Sequence, residues 1–168
     1  MFIPEIPDNS LKDEITQIVE LSKKLENDYD FEYDPPATEE ELSSWEKEHN
    51  IKIPESIKDW LRFSCYSHIR NELAVIRNVN DFEVNCEIVP EDMVIIGEVI
   101  GDGEFIGFSK KNGTILWEDH GNLECYNNFK ELLKEIIDMM HGHTGLSETS
   151  INILQAMAKK AKEGNNND

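Results

Sequence analysis

Residues 100–121 read IGDGEFIGFSKKNGTILWEDHG, a stretch whose glycines and carboxylates stand close enough together to suggest a phosphate or a divalent cation as ligand. Gly101, Gly103 and Gly107 form G-x-G-x-x-x-G, one residue longer than the G-x-G-x-x-G turn in which backbone N–H groups approach a phosphate. Such turns also need a helix N-terminus or a nearby lysine to hold the anion. Here a strand and a hairpin follow, no V-A-I-K-like lysine is present, and Asp102 and Glu104 place negative charge where the phosphate would lie. The glycines therefore read as a turn and a small-residue strand position that display acids.

Asp102, Glu104, Glu118, Asp119 and His120 offer carboxylate and imidazole ligands, yet their spacing is neither that of an EF-hand loop nor that of H-E-x-x-H. His141 and His143 stand two apart, on different faces of any helix. No metal site and no cofactor are expected. There is no G-x-S-x-G elbow, so no catalytic residue is assigned and the chain does not read as an enzyme. Cys65, Cys86 and Cys125 are too widely spaced for a metal knuckle and odd in number, and read as buried free thiols.

The elements around this stretch follow from periodicity. Ser10 is positioned to cap an amphipathic helix carrying Leu11, Ile15, Ile18, Leu21 and Leu25. NDYDFEYDPP then reads as an acidic loop or short strand, closed by Pro35 and Pro36. Thr38 and Glu41 predict a capping box for a second helix, with Leu42, Trp45 and His49 on one face. Pro54 suits the first turn of a third, in which Ile57, Trp60, Leu61 and Ser64 form the inward stripe.

From Glu72 onward β-branched residues predict four or five strands in ELAVI, FEVN, MVIIGEVI, EFIGFSKK and TILWE. Asn112 and Gly113 predict a tight hairpin between the last two. Trp117 lies beyond that hairpin, where alternation leaves core and partner-anchor roles both open. Asn128 and Glu131 predict the start of a further helix, and residues 147–162 an additional C-terminal one before a frayed tail.

With 168 residues, one domain is expected. The boundaries are an N-terminal helix and acidic loop over 1–34, a core over 35–141, and a C-terminal helix and tail over 142–168. The 35 acidic against 16 basic side chains leave a formal net charge of −19. Such a field disfavours nucleic acid and anionic membrane as partners and favours a basic protein, although acidity for solubility alone is an equal reading. Residues 1–50 dominate it, with 15 acidic and 4 basic side chains for a net of −11. Neither a membrane-spanning run nor a signal peptide is evident, so the expected location is cytoplasmic.

In order, PATEEELSSWEKEHNIKIPESIKDWLRFS, IIGEVIGDGEFIGFSKKNGTILWEDHG and NNFKELLKEII resemble the SUKH superfamily, with Ile53, Pro54, Ile57, Trp60, Leu61, residues 101–103, Trp117 and residues 129–133 at its motif positions. The chain departs from the pattern at residues 64–68, where family members carry an Asn-Gly-Gly-like turn. The resemblance implies an α+β fold, helices packed around a mainly antiparallel sheet. It also implies a bacterial immunity protein that binds and neutralises a cognate polymorphic toxin, a nuclease for instance, without catalysis. An intracellular regulatory scaffold that binds a signalling protein is the alternative.

On this reading the partner is a toxin with a basic surface, as in contact-dependent competition, and the protein is a monomer or weak homodimer. The partner-binding residues expected are Asp28, Tyr29, Asp30, Glu32, Tyr33, Asp34, Tyr66, Asp102, Glu104, Glu118 and Asp119.

Overall fold

The computed structural model describes residues 1–101 and 103–142. The helices are α1 (Lys12–Leu25), α2 (Glu39–His49), α3 (Glu55–Leu61) and α4 (Phe129–Met140). The strands are β1 (Glu32–Tyr33), β2 (Ser67–Ile69), β3 (Ala74–Ile76), β4 (Met93–Val99), β5 (Glu104–Ser109), β6 (Ile115–Asp119) and β7 (Asn122–Tyr126). Seven strands lie side by side in chain order, every neighbouring pair antiparallel. The α+β expectation holds. His143 and the helix expected over 147–162 lie outside the described residues.

Alternation along β4 divides the buried side chains between two faces. Val94 and Ile96 point into the main core with all four helices, while Met93 and Ile95 join Val89 and Leu116 in a smaller cluster on the opposite face. That is why MVIIGEVI is almost continuously apolar: both faces of this strand are covered. Trp60 and Phe63, at α3 and just after it, are fully buried, and Trp60 packs edge-on against Phe63 and Phe129. These contacts tie α3 to α4.

Local signals differ in how well they hold. Thr38 and Glu41 form the reciprocal capping box, and the Asn128 side chain accepts the Glu131 N–H. Ser10 does not cap α1. Its hydroxyl donates to Asp59 Oδ2 at 2.5 Å, and Asn9 Oδ1 accepts the Leu11 N–H instead. Pro54 occupies the N-cap of α3 rather than its first turn.

FEVN contributes only an isolated bridge, Glu83 to Ile95. β2 and β7 escape the sequence pattern because SHI has a single β-branched side chain and NLECY has none. At Asn112 and Gly113 only the glycine has positive φ, so the β5–β6 loop is not a two-residue primed turn. The turn with two positive-φ central residues is His120 and Gly121, between the paired Asp119 and Asn122. Among the thiols, Cys65 and Cys86 are half-buried and Cys125 is exposed, so the expectation of buried cysteines fails.

Candidate functional site

The meander brings four turns to one end of the sheet. Glu32 pairs with His68, Ala74 with Val99, Val99 with Glu104, and Asp119 with Asn122. Hence the loop before β1, the β2–β3 turn at 70–73, the β4–β5 turn at 100–103 and the β6–β7 turn at 120–121 share a rim. Asn71 fastens the first two, its N–H donating to the Asp30 carbonyl and its Oδ1 accepting the Asp30 N–H. The Ile100 N–H donates to the Leu73 carbonyl and fastens the third.

Backbone strain collects on this rim. Among the described residues, Asn50 ends α2, and the other non-glycine residues with positive φ are Arg70, Asn71, Glu72, Ile100 and His120, all in these turns. Bulky residues enter that region at a cost of about 1–3 kcal/mol each, and such positions concentrate at binding and switch sites. Gly101 and Gly103 also have positive φ, so the glycine motif acts as a turn.

The rim acids differ in their freedom. Asp28 and Asp30 are exposed. Tyr29 is half-buried, with the Arg70 guanidinium 4.6 Å from its ring centroid, while Arg70 also donates to the Met139 and Met140 carbonyls at the end of α4. Glu104 is only 7% exposed and accepts the Trp117 indole N–H at 2.8 Å. Glu118, 8% exposed, accepts the Gly121 N–H at 2.6 Å. Asp119 is half-buried and bonds His120. Asp102 lies outside the described residues.

Ligand atoms of Glu104, Asp119 and His120 lie within 4.8 Å of one another, so among the described residues this trio could hold a metal ion. All three are among the carboxylate and imidazole residues that the sequence offers as ligands, and the β5–β6 pairing, not chain distance, brings Glu104 to Asp119.

A second acidic group continues from the rim onto the sheet face opposite the helices. Glu32 is exposed there and Asp34 and Tyr66 are half-buried. Burial, and then the charges of Glu32, Asp34, Glu72 and Glu98, raise the Tyr66 phenol above its ordinary range. Glu98 is partly neutralised by Arg77, which also binds Glu83. A groove of about 410 Å³ runs beside β1, lined by Phe2, Phe31, Glu32, Tyr33, Asp34 and Pro35, with Phe2 59% exposed. A lining that combines two phenylalanines with two carboxylates suits a lysine or arginine side chain.

Tyr33 borders this groove but presents almost no surface to it. Only 3% exposed, it points into the core, where its hydroxyl meets Ser22 Oγ at 2.7 Å and its ring packs on Phe63. Strand alternation explains this: Glu32 and Asp34 take the open face, so Tyr33 takes the other. Trp117 is likewise packed against the main core while its nitrogen serves Glu104, combining core and site-supporting roles.

His68, Glu72, Glu98 and Ile100 are surface residues of this region that spacing did not single out. Their only sequence signal is the strand register, which requires β2 to be recognised first. Among the described residues no helix is long and apolar enough to cross a membrane. Comparison with protein families matches residues 36–135 to the model described as SMI1 / KNR4 family (SUKH-1). Among curated proteins none matches the chain.

Proposed function

The chain belongs to the SMI1/KNR4 family (SUKH-1), and from that premise we propose that it is a cytoplasmic immunity protein that binds a cognate toxin domain and blocks a basic active surface. The family is commonly one of immunity proteins. The observation that supports this reading best is the rim, where acids from sequence-distant loops share one end of the sheet, the first three of its turns hydrogen-bonded one to the next. A prefolded acidic surface binds a basic one with little ordering cost, and its field raises the encounter rate.

A nuclease is the favoured target, because an enzyme that grips phosphates must present cations around its active site. Neutralisation is by occlusion, so the immunity protein performs no bond chemistry. The test is co-expression with toxin-like domains encoded beside this chain's reading frame, paired with nuclease assays on the purified proteins. Restored growth together with stoichiometric loss of nuclease activity is expected. Failure to protect against every neighbouring toxin would refute the proposal, and binding to a signalling protein instead would favour the regulatory scaffold.

A further inference from the structure

Among the described residues, no strand pairs with the far edge of the sheet. β7 pairs with β6 on one side only, and Asn122, Leu123, Glu124 and Cys125 are all exposed, Leu123 at 45%. The two-residue turn closes on the Asp119 and Asn122 pair, so along an antiparallel ladder Asn122, Glu124 and Tyr126 turn their N–H and C=O groups toward β6. Leu123 and Cys125 turn theirs outward. Proteins usually blunt such an edge with lysine, proline or a bulge. Residues 119–129 contain no Lys, Arg or Pro, and the β6–β7 register is unbroken.

What surrounds this edge is acidic. Tyr126 donates to Glu124 Oε2 at 2.9 Å, and burial, that bond and the charges of Glu124, Glu135 and Glu131 together raise its phenol. Glu118 lies directly across from Leu123. Edge-to-edge pairing with a second copy would bring these carboxylates onto their own images in a chain of net charge −19. A basic strand meets the opposite situation.

We propose that β7 is a docking edge at which an extended, lysine- or arginine-bearing segment of a partner protein adds as an eighth strand, held by the outward N–H and C=O groups of Leu123 and Cys125 and flanked by the exposed Glu124. The proposal rests on the immunity reading for the partner's basic character. It deepens that reading, because Asn122 begins on the acidic rim, and a strand added there would be continuous with it.

The probe is an acetylated and amidated peptide of alternating Lys and Val, added to the ¹⁵N-labelled full chain. Slowed amide exchange at Leu123 and Cys125 is expected, with binding weakened about tenfold in Leu123→Pro and Cys125→Pro, each of which deletes one outward donor and leaves the β6 ladder intact. An equally charged Lys peptide interrupted by proline should bind much more weakly. Equal binding of both peptides, or exchange unchanged at the two amides, overturns the proposal. So does protection of those amides in the peptide-free protein through self-association. In the co-expression assay, full rescue by the proline variants would remove β7 while sparing the immunity reading, whereas strand addition without rescue by any variant would remove the immunity reading and spare the docking edge.

Discussion

Trp117 on β6 donates its indole N–H to the carboxylate of Glu104 on the neighbouring β5, 2.8 Å away, and so holds a buried acid at the sheet rim. A hydrogen bond to a charged group contributes roughly 1.5–3 kcal/mol. Trp117→Phe should therefore lower unfolding free energy by about that amount, more than its modest loss of ring area explains. Urea denaturation of Trp117→Phe, Glu104→Gln and the double variant checks this. Strict additivity in that cycle would show that the pair is not coupled.

Association with a basic partner should be steered by the rim. Reversal of Asp28, Asp30 and Glu32 to lysine is expected to slow it about tenfold at low salt, an effect that shrinks once the screening length falls to about 8 Å. Folding should survive: Asp28 and Glu32 are exposed, and the bonds of Asp30 to Asn71 run through its backbone. Stopped-flow kinetics against ionic strength, alongside thermal melts, separates the two effects. A salt-indifferent on-rate in the parent protein would contradict steering.

Tyr33 should behave as a core residue. Burial raises its phenol to about 12, partly offset by the bond to Ser22, so it remains neutral across the physiological range. Tyr33→Phe removes one hydrogen bond and is expected to cost about 1 kcal/mol of stability with no change in partner affinity. Calorimetry for both quantities is the check, and an affinity loss at full stability would return Tyr33 to the interface.

Glu46 provides a pH dependence with a definite sign. Burial opposes its charge, but donation from Lys58, the Ile53 N–H and Lys52 outweighs that, and its folded pKa lies below the usual 4.5. A depressed carboxyl contributes stability that is complete above the unfolded value near 4.5 and is lost as pH falls toward the folded value. Glu46→Gln should cost about 1–3 kcal/mol at neutral pH, because Lys58 loses its partner, and should flatten the acid side of the stability profile. An unchanged slope from pH 6 to pH 3, roughly the range over which carboxylates titrate, would rule this out.

The chain's own order of residues determined what local chemistry can determine. Thr38 with Glu41, and Asn128 with Glu131, announce helix starts because a cap and its partner lie within four residues. The apolar run of β4, the turn at Gly101 and Gly103 and the acid excess were equally legible, as was the family pattern. Tertiary structure alone decided which acids are usable. Glu104 and Glu118 look like Asp28 in the sequence, yet strand pairing buries the first two beneath Trp117 and the Gly121 N–H and leaves the third in water. Tyr33 became core, and among the described residues β7 became an unpaired edge, for the same reason. Burial and register are set by contacts between residues far apart in the chain, and no local spacing encodes them.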